Sequence, residues 1–191
     1  MSGDDISKFL KEISAGRNIL EFGSGGSTKI FSEHAYFVTS VESDRNFFKH
    51  IQRILSERGY SQKAHIFYAN VGPTRSYGQP YKFLEKVYGS RYKNYSLDIF
   101  SESEMARTAE IVFVDGRFRV ACVMTSLQNI NNDLIIIVDD FFDRPEYLAI
   151  NEVLGDPVRW EGNAAIFDVK IKEINFSKVT LILNAYSMDS R

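Results

Sequence analysis

A run of glycines and small hydroxyl residues, Gly23-Ser24-Gly25-Gly26-Ser27-Thr28, follows the apolar segment Asn18 to Phe22. Glycine has no Cβ and tolerates positive φ, so such a loop lets the backbone pass close to a ligand. A helix starting behind it offers N–H groups that have no partner within the helix. Glu42 comes 19 residues after Gly23, at the end of the next apolar segment, Tyr36 to Val41. An acid at that place can accept hydrogen bonds from both hydroxyls of a ribose. Three more apolar segments end in polar residues. His65 to Tyr68 leads to Asn70-Val71-Gly72, Ile111 to Val114 leads to Asp115, and Leu134 to Val138 leads to Asp139-Asp140. Each feature alone fits a tight turn or a surface acid, and it is their convergence that points to one ligand site.

Asp115 and the Asp139-Asp140 pair should end adjacent parallel strands, about 4.8 Å apart. Like charges that close must be neutralised. One solution is a divalent cation such as Mg²⁺, which takes hard oxygen ligands, with Asp115, Asp139 and Asp140 holding it. The other is Arg117 or Arg119. Both fall in the first turn of the next helix, where a cation opposes the helix dipole by about 0.3–1 kcal/mol. Their presence there calls for a reason, either a structural pairing with the aspartates or a grip on an anionic substrate. All three solutions are open at this point.

The elements that must position these residues alternate between strand and helix. Residues 4 to 15 read as a helix with Ile6, Phe9, Leu10 and Ile13 on one face, capped by Asp4 and ended by Gly16. The glycine loop opens a helix to about His34, and Asp44 to Arg58 is a helix with Phe47, Phe48, Ile51, Ile54 and Leu55 inward. Residues 72 to 108 break the alternation as a long insertion, with one helix near Tyr81 to Tyr88, expected to cover the ligand and wall the pocket through Tyr77 and Tyr81. A helix runs from after Asp115 to about Ile130, and a capping pair, Asp143 and Glu146, with Pro145 in the first turn, opens another that stops at Gly155. Ala164 to Val169 and Val179 to Tyr186 read as strands of an antiparallel hairpin. The expectation is one α/β domain over residues 1–191, a Rossmann-like, mostly parallel, doubly wound sheet with helices on both faces and that hairpin at its end.

Glu21-Phe22-Gly23-Ser24-Gly25-Gly26-Ser27-Thr28 and Ser40-Val41-Glu42-Ser43-Asp44 resemble the first two motifs of class I S-adenosylmethionine-dependent methyltransferases. Val71-Gly72-Pro73-Thr74 with Gly78, and Val114 to Arg119, resemble a small bacterial group of methyltransferase-like proteins. The resemblance covers roughly residues 18 to 142. It implies that Gly23, Ser24 and Gly25 line the methionine part of S-adenosylmethionine, with Glu21 beneath and able to orient the amino group. Glu42 would hold the ribose, Asn70 and Val71 would flank the adenine, and Asp115 would lie near the transferred methyl. The Asp…Asp-Asp pattern is similar to the metal site of catechol-type O-methyltransferases, with Asp140 where that site has Asn. The implied activity is methyl transfer to an oxygen or nitrogen of a small-molecule acceptor, with Asp115, Asp140 and Arg117 as catalytic residues. The rival from another class is a cofactor-binding module with a regulatory role, and a nucleotide-dependent oxidoreductase is disfavoured by Thr28 in G-x-G-x-x-T.

Bulk properties narrow the classes. With 25% charged residues and a net charge of −2, no overall field draws the chain to nucleic acid or anionic lipid. One cysteine, Cys122, excludes an intrachain disulfide, and three histidines leave no zinc site or histidine base in view. Leu134 to Val138 is far too short to span a bilayer, and the N-terminus lacks signal-peptide character, so a cytoplasmic location is the default. Residues 77 to 95 interleave Tyr77, Tyr81, Phe83, Tyr88, Tyr92 and Tyr95 with Lys82, Lys86, Arg91 and Lys93. That pattern suits a lid, a substrate wall or a dimer surface; it can also bind single-stranded nucleic acid, a reading disfavoured here by the acidic balance. Oligomeric state is not legible.

Overall fold

The computed structural model describes residues 3–142 and 144–190. Asp143 and the side chain of Asp4, the two expected caps, lie outside that description. Seven strands form one sheet: β1 (Asn18–Phe22), β2 (Phe37–Glu42), β3 (Ala64–Tyr68), β4 (Ile111–Val114), β5 (Leu134–Val138), β6 (Arg159–Glu161) and β7 (Ala164–Val169). Their order is β3-β2-β1-β4-β5-β7-β6. The first five are parallel, and β7 pairs antiparallel with both β5 and β6.

Side chains alternate across a strand, so each buried strand feeds both faces of the sheet. Ile19, Val38, Ile111, Phe113 and Ile137 point to one face, where α1 (Gly3–Ser14), α2 (Gly26–His34) and α3 (Arg45–Glu57) cover them with Phe9, Phe31 and Leu55. Leu20, Phe22, Val112, Val114, Ile136 and Val138 point to the other. There α4 (Arg119–Asn129) lies buried along nearly its whole length, flanked by α5 (Leu148–Leu154) and α6 (Phe176–Tyr186). The architecture is the expected doubly wound α/β sheet.

Two expectations need correction. Val179 to Tyr186 is not a strand but part of helix α6, and the terminal hairpin is made by β6 and β7 instead. The run is rich in Val, Ile and Leu, which reads as strand. Yet Val179, Ile182, Leu183 and Tyr186 recur at i, i+3, i+4 and i+7 and pack into the core beside α4, while Leu181 faces out. Asn175 caps the helix, its side chain accepting from the Lys178 N–H at 3.2 Å. Packing thus overrides propensity. Phe47, expected inward, is exposed: it stands in the first turn of α3, while Ile51 and Leu55 further along are buried against the sheet.

The insertion is less a free lid than expected. Its second half packs inward as short helical turns, with Tyr92, Tyr95, Ile99 and Phe100 buried. Tyr95 and Tyr92 pack on Phe118, with centroids 5.5 and 5.3 Å away. Only the first half stays outside, beginning with a small hairpin that pairs Thr74–Arg75 with Gln79–Pro80.

Two loops meet where the backbone must come very close. A Cβ on Gly116 would lie 2.9 Å from the Gly23 Cα and fall on the Tyr95 hydroxyl. Gly116→Ala should therefore cost about 2 kcal/mol or more of stability, as overpacking does. Denaturant unfolding would measure this, and adding Tyr95→Phe should recover part of the loss by removing the clashing oxygen.

Candidate active site

Register places the chemistry. Phe22 of β1 is level with Val41 of β2 and Val114 of β4, and Val114 is level with Val138 of β5. Gly23, Glu42, Asp115 and Asp139 are each the next residue, so they share one edge of the sheet. A cavity of about 610 Å³ opens there, lined by Gly23, Ser24, Gly25, Glu42, Asp115, Arg117, Asp139 and Asp140 among others. That volume suits a ligand of cofactor size. Asn70 and Val71 do not line it. They come after the level row, which reaches β3 at Tyr68. A tight turn, Val71 N–H to Ala69 O at 3.0 Å, swings Val71 into the core, and the exposed Asn70 accepts from the Gly72 N–H.

Glu42 is buried and well supplied with donors. Its Oε1 accepts from the backbone N–H of Ser43 and Asp44, both at 2.7 Å, and its Oε2 from Ser24 Oγ at 3.0 Å. Burial raises its pKa while these donors hold it down. The small hairpin crosses over this acid. Ser43 Oγ donates to the Gly78 carbonyl at 3.1 Å, and Gly78 has φ 66°, with its missing Cβ position 3.3 Å from Glu42 Oε1. On the far side Arg117 Nε donates to the Tyr77 carbonyl at 3.1 Å. The hairpin thus straps the cavity from β2 to β4. Tyr77 lines the cavity as expected, but Tyr81 does not.

Glu21 lies beneath the glycine loop, off the cavity wall. Ser27, Thr28 and Ser40 hydroxyls donate to it at 2.5, 2.6 and 2.5 Å. Thr28 Oγ1 also accepts from the Gly25 N–H at 2.8 Å, pinning the loop to the start of α2. The threonine of G-x-G-x-x-T is therefore a brace between loop and buried acid. Full burial pushes Glu21 up to about 7 in spite of the three hydroxyls.

Two of the three aspartates are answered by Arg119. Its buried guanidinium pairs with Asp115 Oδ1 at 3.1 Å and Asp140 Oδ2 at 3.5 Å. It donates as well to the Gly116, Asp115 and Asp139 carbonyls and lies over the Tyr147 ring, 5.7 Å from its centroid. Burial raises Asp115 to about 6; Arg119 opposes the rise, and Asp139 and Asp140 add to it. Among the described residues no group of three or more His, Cys, Asp or Glu is arranged to hold a metal ion. A guanidinium stands between Asp115 and Asp140, so the donor set does not fit Mg²⁺. Arg117 differs from Arg119: among the described residues it has no ion pair, its Nε holds the strap, and it faces the cavity. Burial lowers its pKa.

Sequence reasoning missed Phe47, Ser43 and Tyr95, which also line the cavity. Ser43 was legible as the residue after Glu42 at the strand end. The long-range packing that brings Tyr95 to Gly116 leaves no local signal.

Comparison with known proteins bears on the fold. Neither family models nor curated proteins give a match. Among solved structures, a methyltransferase-like protein from Silicibacter pomeroyi is 28% identical, with TM-score 0.85 over 100% of this chain and 97% of that one. The fold is that of the class I S-adenosylmethionine-dependent methyltransferases. An O-methyltransferase from Bacillus cereus, solved with S-adenosylhomocysteine, has TM-score 0.53 at 14% identity over 97% of this chain and 70% of its own. An RNA methyltransferase from Salinibacter ruber, also with S-adenosylhomocysteine, has 0.52 at 11% over 87% and 90%. The last two share the fold alone with this chain, and their different acceptors show that the fold leaves the acceptor open. No helix among the described residues is long and apolar enough to cross a membrane.

Two outcomes follow from the buried charges. Arg119→Met should cost about 1–3 kcal/mol, chiefly because it removes the donor from buried carbonyls, the half-exposed Asp115 and Asp140 carboxylates being left to water; chemical denaturation measures it. Glu21 holds its proton in the folded state between its ordinary 4.5 and about 7. Its contribution to stability is therefore lost as pH rises through that window. Glu21→Gln should gain on the unmutated protein by about 1–3 kcal/mol across that rise. A gap between their melting curves that stays constant with pH would contradict this.

Proposed function

We infer that the protein transfers a methyl group from S-adenosylmethionine to an oxygen or nitrogen of its acceptor. The observation that carries this reading is the level row of Gly23, Glu42 and Asp115 around one cavity of about 610 Å³. The residues fit the cofactor. Added Cβ atoms on Gly25 and Gly26 would meet nothing within 4 Å, so the loop leaves open space above it. Glu42 Oε2 keeps a lone pair for a ribose hydroxyl, and Arg117, without an ion pair among the described residues, is placed to take a carboxylate. The bound sulfonium would supply an activated methyl for in-line displacement.

The chain's own residues do the rest. The glycine loop and Glu42 orient the ligand, and the strap excludes water above it. Asp115, raised to about 6, is ionised near neutral pH yet basic enough to take the proton that the acceptor's O–H or N–H gives up. Arg119 and Asp140 set the direction in which that carboxylate points. Arg117 would steady the anionic part of the ligand. In this reading the three aspartates need no metal.

Calorimetry with S-adenosylmethionine, S-adenosylhomocysteine and NAD tests the cofactor: the two adenosyl ligands should bind and NAD should not. Glu42→Ala should weaken S-adenosylhomocysteine by roughly 1.5–3 kcal/mol, the range for a hydrogen bond to a charged group. Asp115→Asn should leave that affinity nearly intact and reduce methyl transfer. Full turnover in Asp115→Asn, accompanied by a large loss of melting temperature, would make Asp115 a structural partner of Arg119 only.

A further inference from the structure

The interleaved aromatic and basic segment divides in two. Tyr92 and Tyr95 turn into the core. Tyr77 and Phe83 stay outside, 87% and 77% exposed, with Tyr81 packed on Phe83 at 5.4 Å. Arg75, Lys82, Lys86, Arg91 and Lys93 of the same segment are all exposed. Among the described residues none of these five forms an ion pair, whereas Arg58, Arg159, Lys170 and Lys178 elsewhere do. Residues 75–93 hold one acid, Glu85, against those five cations, net +4 in a chain of net −2. The acidic overall balance therefore hides a local positive face. That face starts at the cavity, because Tyr77 lines it and the strap carries both Arg75 and Tyr77.

We propose that the exposed face of residues 75–93 binds a single-stranded nucleic acid and presents it to the cavity. The proposal rests on the methyltransferase reading above and names the carrier of the acceptor. Unpaired cations track a phosphate backbone, and exposed rings stack bases whatever their sequence. An anionic membrane fits less well. Surface-bound helices need length to bury an apolar face, and the helices here, Lys82–Leu84 and Glu85–Tyr88, are single turns. Arg91 already lies over the Tyr88 ring at 5.2 Å, a stacked cation that adds to such a platform.

Fluorescence anisotropy of the whole protein tests this, with a labelled oligouridylate, its deoxy counterpart, a duplex, and vesicles of anionic lipid as separate arms. The single strands should bind more tightly than the duplex, with affinity falling steeply as salt rises. Comparing the ribose and deoxyribose strands decides between RNA and DNA as the source. Lys82→Glu with Lys86→Glu should weaken strand binding more than tenfold and flatten the salt dependence. Phe83→Ala should weaken it about fivefold or more with the salt dependence unchanged, as loss of one stacked base does. None of these side chains lines the cavity, so calorimetric affinity for S-adenosylhomocysteine should be unaltered in both variants. Absence of strand binding by the unmutated protein, strand binding indifferent to the lysine changes, or vesicle binding in place of strand binding would overturn the proposal. If S-adenosylhomocysteine fails to bind while strands do, the methyltransferase reading falls and the docking surface stands.

Discussion

The guanidinium of Arg119 is the interaction on which the carboxyl edge of the sheet depends. It ties the loop after β4 to the loop after β5, through Asp115 and Gly116 on one side and Asp139 and Asp140 on the other. A cation in the first turn of a helix works against the helix dipole, and burying it costs desolvation besides. Two carboxylates and three carbonyls offset both. The arrangement also divides labour between two arginines only two residues apart. Arg119 is consumed by structure, and Arg117, without an ion pair among the described residues, is left on the wall of the cavity.

A second buried carboxylate is handled by a different chemistry. Among the described residues Glu21 has no ion pair, and it relies on three hydroxyls from Ser27, Thr28 and Ser40. These bonds join β1, β2 and α2 under the glycine loop. Burial is the main cause of the rise at both acids, Glu21 going from 4.5 to about 7 against its three hydroxyls and Asp115 from 3.8 to about 6 against Arg119, with Asp139 and Asp140 adding to the second. The glycines above can then follow a path dictated from below. Gly23 has φ 96°, and an added Cβ would lie 2.5 Å from the Gly116 Cα, so neither loop tolerates a side chain at the crossing.

The sequence was most readable where one residue type satisfies one local demand. Asp44 caps α3 through Asn46 and Phe47 N–H groups, Gly155 ends α5 with φ 75°, and the apolar runs Ile111 to Val114 and Leu134 to Val138 match their strands residue for residue. The level row of strand ends followed from those runs. What was hidden depended on distant partners. Helix α6 takes its form from the surface beside α4, against its own strand-like composition. Phe47 turned out exposed on the cavity wall, since the first turn of α3 carries it away from the core. The choice among metal, ion pair and anion at Asp115 could not be read from types alone, because only the folded backbone puts Arg119 between two carboxylates.

The strap over Glu42 has a consequence for time as well as for place. The acid that would hold a ribose is only 7% exposed, and Gly78 rests against it through the Ser43 hydrogen bond. A ligand that enters beneath the hairpin would have to wait for it to part from Ser43 on one side and Arg117 on the other. Loop motions of this kind run from nanoseconds to microseconds when free and more slowly when tethered at both ends. Arrival and departure would then share one clock, set by the hairpin and not by diffusion. Raising the ligand concentration would saturate the rate of entry at the rate of opening, and a tightly strapped protein would hold its product as long as it had kept its substrate out.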